Sequence, residues 1–407
     1  MAVRSSFCVC ALVSLLTMVA CSDSGTSEGS GGSAGSGGAM ASGGFAGNSG
    51  AAGVGGGGST ASGGSAGAGG NAGAGGSGGS GVDRSVGEWT DTQGQCPDGL
   101  SRVDIQTIQE LEDASRASQP GTCYFVHDGS YTQRGGTLPL YFNGVKGSAA
   151  APIVWVGESR DGVRISGRVS FDQAAAFIEL RNMTFDLSGF SATGSFNTIT
   201  VHDGSQNIDL RRLTLTGDCA TGHKGGHLEV EAADEVLLED SIVERFGACS
   251  GGGHEDHGIY LASGSNITLR NNVIRENASR GIQLFTNQGG FGQLADVLVE
   301  RNRIYGNGHA DYEDGLVVNG SGSGPITGLT LRYNLLYGNY YSGIRFVGDA
   351  VSGVTVEHNT FYQNGVLSSG AGASEINLDG GTPAAAFSKN IFVPGHALVN
   401  ACAGGLT

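Results

Sequence analysis

From His257 to Phe361 the sequence repeats one phrase four times: a short alternating apolar run, a loop, a second alternating run, and two bends that each carry an asparagine. The first runs are Ile259-Tyr260-Leu261, Ile282-Gln283-Leu284, Leu316-Val317-Val318 and Ile344-Arg345-Phe346. The second are Ile267-Thr268-Leu269, Val297-Leu298-Val299, Leu329-Thr330-Leu331 and Val354-Thr355-Val356. Asn272, Asn302, Asn334 and Asn359 follow the second runs at steps of 30, 32 and 25 residues, and Asn277, Asn307, Asn339 and Asn364 repeat those steps five residues later. Apolar residues at i and i+2 share one face of a strand. A three-residue strand cannot bury that face alone, so it must stack on its copies. No helix of ten residues fits between the runs. The pattern therefore predicts an all-β solenoid with coils of about 20–30 residues and short parallel strands. Asparagine columns stand at its bends, where each amide both donates and accepts and tolerates the left-handed backbone a bend needs.

The two-run pattern extends upstream through Phe177–Phe185, Ile199–Leu215 and Leu228–Val243, but the ladder position there holds Met183, Leu213 and Ser241. It extends downstream to Ile376-Asn377-Leu378 and Asn390. Before the solenoid, Ile105, Ile108 and Leu111 recur at helical spacing, with Asp104 as the expected N-cap. A solenoid's first coil has an open apolar end, and this short helix is its natural lid. Gly121 to Tyr131 resembles the opening of pectate-lyase-like β-helices. The stretch from Ser148 to Gly167 resembles the early coils of polysaccharide lyases of the chondroitinase B and alginate lyase kind. The resemblance spans about residues 100–396 and implies a right-handed parallel β-helix with a short N-terminal capping helix.

At the N-terminus, Arg4 precedes an apolar run that ends in Met18-Val19-Ala20-Cys21, too short for a membrane span. It resembles a bacterial lipoprotein signal, with Met18 where such signals usually carry Leu. The resemblance implies lipidation at Cys21 and an exported protein at the outer membrane or cell surface; plain secretion is the alternative. Residues 22–81 hold 27 Gly among 60 residues, with only Asp23 and Glu28 charged. Such a stretch cannot repay the entropy of ordering and reads as a tether spanning about 40–45 Å. The expected organisation is a signal over 1–20, a linker over 21–88, a cap and first strand over 89–135, the β-helix over 136–396 and a tail over 397–407.

The formal charge of −16, with no basic cluster, argues against a nucleic-acid partner. Export makes disulfides Cys96–Cys123 and Cys219–Cys249 the expected pairs, with Cys402 left over. The second pair lies one long coil apart, and its spacing matches no structural zinc pattern.

Aligning the coils on Gly258, Gly281, Gly315 and Gly343 places His257, Arg280, Asp314 and Ser342 in one column. Asp256, Ser279, Glu313 and Tyr341 form the next. Glu229, Tyr260, Gln283, Val317 and Arg345 fall on the outward strand positions, about 4.8 Å apart. In one reading Glu255, Asp256 and Asp314 hold Ca²⁺ against a uronate carboxylate. Lys224, His257 or Arg280 then removes the acidified proton in a β-elimination, while Tyr260, Gln283, Tyr341 and Arg345 contact the acidic polysaccharide. Tyr260 and Tyr341 are expected at the surface. In another, Asp256 and Asp314 act as the acid and base of a hydrolase, about 9.6 Å apart over two coils; epimerase chemistry stands beside it. The third is a non-catalytic carbohydrate-binding or surface-structural β-helix, in which His257 closes a turn and Arg280 pairs with a neighbouring carboxylate.

Overall fold

The computed structural model describes residues 94–190, 197–219, 225–249, 256–286, 292–309, 313–320, 324–348, 350–368, 370, 372–379 and 384–401. The chain visits three sheets in turn. Ile153–Gly157 lies in the first, Val163–Ser166 in the second and Val169–Asp172 in the third; Ala176–Arg181 then returns to the first, beside Ile153–Gly157. Among the described residues the first sheet has 13 strands and the other two have 10 each. Neighbouring coils pair in parallel, as Ile259↔Ile282, Ile267↔Val297 and Ile274↔Ile304 show. The result is a right-handed parallel β-solenoid, the hand that parallel crossovers favour.

Alternation decides what the solenoid encloses. Ile259 and Leu261 point inward and are fully buried, as are Ile267, Leu269 and Ile274 from the same coil. Early coils fill their wider interior with rings: Tyr124 stacks on Trp155 at 4.4 Å between centroids, and Phe142 on Phe171 at 4.9 Å. Outside the first sheet, Arg211, Glu239, Arg270, Glu300 and Arg332 stand in one register column of alternating charge. Arg270 Nε lies 2.5 Å from Glu300, which also takes Arg332 Nε at 2.7 Å. The two guanidiniums, opposing burial, hold the Glu300 carboxyl below its ordinary range. That wall is satisfied by its own neighbours.

The bends carry the expected ladder. Asn302 Oδ1 accepts from the backbone N–H of Asn272 at 2.9 Å and from its Nδ2 at 3.0 Å. Asn302 Nδ2 donates back to Leu269 O at 2.8 Å and onward to Asn334 Oδ1 at 3.1 Å. The column runs from Asn272 through Asn334 and Asn359 to Asn390. A second column runs Asn277, Asn307, Asn339, Asn364 and ends on Glu375, whose carboxylate accepts from Asn364 Nδ2 at 2.5 Å. Left-handed backbone does not fall on the ladder asparagines. It falls one residue earlier, on Asn271, Arg301, Tyr333, His358 and Lys389 at φ of 55–57°, and this reversal turns the next side chain inward.

The N-terminal lid differs in detail from expectation. Asp104 is not a cap; it lies in the strand Ser101–Ile105, which pairs with Thr122–Val126 and buries Ile105 at its end. The helix therefore starts later, at Ile108–Arg116, capped by Thr107. Thr107 Oγ1 accepts from Glu110 N–H at 3.2 Å, and the Glu110 carboxylate accepts from Thr107 N–H at 3.0 Å. Leu111 plugs the first coil, and Ser115 Oγ accepts from Tyr141 N–H at 3.1 Å, covering an edge strand. Cys96–Cys123 and Cys219–Cys249 form disulfides, with Cα separations of 5.8 and 4.9 Å. Coiling continues past residue 396, because Ala397–Ala401 pairs with Ser374–Asp379. Cys21 and Cys402 lie outside the described residues.

If the ladder carries the bends, Asn302→Ala leaves Asn272 N–H and Leu269 C=O without their buried partner. It should lower stability by at least about 2 kcal/mol, read as an earlier midpoint in urea denaturation. The exposed Lys389→Ala should leave the midpoint unchanged.

Candidate functional site

The third sheet presents one outward side chain per coil. In register these are Tyr141, Ser170, Thr200, Glu229, Tyr260, Gln283, Val317, Arg345 and Asn377. Each alternates with inward residues such as Leu228 and Val230, so strand parity alone brings nine distant segments onto one strip. Ser170, Thr200, Gln283, Val317 and Asn377 are buried, whereas Glu229, Tyr260 and Arg345 remain partly exposed. The strip runs along the outer face of the third sheet.

Toward the C-terminal end, Arg280 and Arg345 bring two guanidiniums to this strip. Arg280 Nη1 donates to Gln283 Oε1 at 2.7 Å. Arg345 Nη2 donates to Asp379, and its Nη1 lies 3.9 Å from Asp314 Oδ2. Asp314 is wholly buried, and Ser342 Oγ donates to its other oxygen. Burial pushes the Asp314 carboxyl up to about 6 against the pull of Arg345. Burial also lowers Arg280, which Asp314 partly offsets. The His257 ring stacks on Tyr260 at 5.7 Å, and Tyr260 lies 6.2 Å from Phe285.

The N-terminal end is different in kind. His202 stands between Asp172 and Asp203, with Ser170 beside it. The Tyr141 hydroxyl donates to Asp172 Oδ2 at 3.2 Å. Glu229, one coil beyond Thr200, accepts from Asn197 Nδ2. Burial, helped by the charge of Glu231, raises the Glu229 carboxyl above its ordinary range.

Of the residues expected to bind calcium, Asp256 and Asp314 are among the described residues, and they stand apart. Asp256 is only 2% exposed and its Oδ2 accepts from Ala248 N–H at 3.2 Å, closing a turn. Asp314 belongs to the Arg345–Ser342 cluster, and register sets it two coils from Asp256, about 9.6 Å along the stack. The same separation and the burial of both remove them as a facing hydrolytic pair. His257 is 4% exposed, so its ring supports Tyr260 from beneath. Tyr341, expected at the surface, is also 4% exposed: its hydroxyl packs on Gly372, where a Cβ would fall 1.9 Å away. Lys224 and Glu255 lie outside the described residues. Tyr260, Gln283, Arg280 and Arg345 do share the strip. Among the described residues, the group of three candidate metal ligands is Asp172, His202 and Asp203. An imidazole at its centre does not suit calcium, which takes oxygen ligands. Sequence reading passed over this group because it lies before the asparagine columns. The signal was the repeat of Val169-Ser170-Phe171-Asp172 in Ile199-Thr200-Val201-His202, one 30-residue coil later.

The sequence pattern of right handed beta helix regions matches residues 158–323. The chain carries a right-handed β-helix region. No curated protein matches it in sequence. Among solved structures it is similar to an alginate lyase from Paenibacillus sp., with a TM-score of 0.55 at 14% identity, covering 74% of this chain and 98% of the lyase. It is also similar to a mannuronan C-5 epimerase A-module from Azotobacter vinelandii, with a TM-score of 0.45 at 14% identity, covering 74% and 94%. A pectate lyase gives 0.39 at 15% identity, covering 70% and 72%. At 14% identity the likeness to the alginate lyase shows the β-helix fold alone and assigns no residue a role.

Asp314 gives the site a pH signature. Its carboxyl moves from an ordinary 3.8 to about 6 on folding, so the folded protein holds this proton more tightly than the unfolded chain. The cost of ionising it in the core is absent below pH 3.8, grows between 3.8 and about 6, and is complete above. Asp314→Asn should therefore flatten the fall in stability between pH 3.8 and about 6, measured as urea midpoints. An unchanged slope would mean that Asp314 does not titrate there.

Proposed function

We propose that this chain is an exported polysaccharide-binding β-helix, tethered through residues 22–81, that holds an acidic glycan along its third sheet. The observation that carries the reading is the strip itself. Polar or aromatic side chains recur along the strip in each coil except that of Val317, in a line that matches a linear polymer of repeating sugars. Tyr260 offers a ring face for stacking against a pyranose, and Arg280, held beside Gln283, a guanidinium able to recognise a carboxylate. The disulfides support an oxidising compartment, in keeping with export.

Binding explains the geometry better than cleavage by elimination. Of the acids proposed for calcium, Asp256 closes a turn and Asp314 lies among Arg345 and Ser342, while the His257 ring stacks on Tyr260. Chain cleavage therefore forms no part of the reading, and calcium is not required for it.

Affinity electrophoresis in gels containing alginate, polygalacturonate or a neutral glucan is the test. Retardation is expected with the acidic gels, weakened about tenfold by Tyr260→Ala and by Arg280→Gln. Equal retardation by the neutral glucan, or none by any acidic glycan, would overturn the proposal. Appearance of ultraviolet-absorbing unsaturated products would replace it with the lyase reading.

A further inference from the structure

The N-terminal end of the third sheet holds a serine, a histidine and an aspartate in the order acyl transfer requires. Ser170 lies on the strand Val169–Asp172, and His202 directly follows its register neighbour Ile199–Val201. Ser170 Oγ is 3.2 Å from His202 Nε2. The opposite ring nitrogen, Nδ1, is 3.6 Å from Asp203 Oδ2. One imidazole thus faces a hydroxyl on one side and a carboxylate on the other. In this arrangement a base takes a nucleophile's proton while a third group fixes its ring. Asp172 Oδ2, steadied by the Tyr141 hydroxyl, lies 3.7 Å from Nε2 and adds negative charge where an imidazolium would form.

A second, independent observation points to a ligand at the same place. Thr200 is the register partner of Ser170 and shares its outward face. Its side chain is nine-tenths buried, yet Oγ1 has no hydrogen-bond partner among the described residues. A buried hydroxyl without a partner costs free energy unless something arrives to meet it. An O–H donor beside a nucleophile is placed to meet the oxygen of a carbonyl under attack.

We propose that Ser170, His202 and Asp203 hydrolyse short acyl esters carried on glycan hydroxyls, with Thr200 donating to the oxyanion. Ser170 Oγ attacks the ester carbonyl carbon as its proton passes to His202 Nε2. The bond from that carbon to the glycan oxygen breaks, and the glycan oxygen leaves with the proton from Nε2. A water then adds to the acyl-serine, giving a proton to Nε2; the carboxylic acid departs and Ser170 recovers its proton. One ester and one water become one alcohol and one acid. Asp203, at the exposed rim, is a positioning residue that holds the Nδ1–H tautomer. The natural substrate rests on the glycan-binding reading, whereas the ester chemistry does not.

The full chain is assayed with p-nitrophenyl acetate and with a fluorophosphonate probe followed by peptide mass spectrometry. Probe mass is expected on the peptide containing Ser170. Ester turnover should fall at least about 100-fold in Ser170→Ala and His202→Ala, variants whose circular dichroism shows the fold intact. Asp203→Asn should slow both readouts and Asp203→Glu should restore part of each, a rescue that a merely structural role would not give. Thr200→Val should lower kcat with KM unchanged. Turnover no faster than in Ser170→Ala, or a probe that ignores Ser170, overturns the proposal. So does calorimetric binding of zinc or manganese that is lost in His202→Ala while the probe stays unreacted, since the cluster is then a metal site. Ester turnover absent with glycan retardation intact sinks this proposal alone; turnover present with retardation lost sinks only the glycan reading.

Discussion

Every part of this protein depends on backbone groups of one coil meeting those of the next in parallel register. Strands of two to seven residues cannot hold themselves together, and each is satisfied only by the strands stacked beside it. The bends are where such a stack would fail, because the chain turns there and leaves N–H and C=O groups without strand partners. The asparagine columns continue the hydrogen bonding through those turns. Each amide serves the backbone of one coil and the side chain of the next, so the bends are as strictly registered as the strands. Glu375 ends one column by offering carboxylate oxygens where another asparagine would stand, and burial raises its pKa accordingly.

That regularity is what allows a functional surface to exist. Residues about 30 positions apart become neighbours, and a column of outward positions becomes a straight strip. The walls are used differently. On the first sheet, alternating Arg and Glu satisfy one another and leave little for a ligand. On the third sheet the pattern breaks: Arg280 and Arg345 gather at one end, and Ser170, His202 and Glu229 at the other, with Tyr260 between. Departures from a self-satisfied pattern are where a repeat protein shows what it binds.

The fold was legible because its two strongest signals are local and periodic. Alternating apolar runs name the inward face, and the 30, 32 and 25-residue steps fix which residues stack. The Cys219–Cys249 pair followed from the same register, and Cys96–Cys123 from the expectation of export. Less was legible at the site. Parity placed Tyr260, Gln283 and Arg345 on the strip, but parity cannot say how deep a position lies. Asp256, His257 and Tyr341 sit beside outward positions and are nonetheless buried. Asp104 was misplaced for a related reason: a strand preceding the helix pairs with the first coil, and nothing in its own five residues announces that partner.

The sequence by itself determined the solenoid, its register, its asparagine columns and the Cys219–Cys249 pair, because each is a matter of spacing along one chain. Only the tertiary structure decided which polar groups are spent on the fold and which are left for a ligand. That distinction depends on burial and on hydrogen-bond partners contributed by other coils. Ser170 and His202 are ordinary strand-end residues in sequence and 3.2 Å apart in space. Asp256 and Asp314 read as exposed acids, and the folded chain uses both to hold itself together.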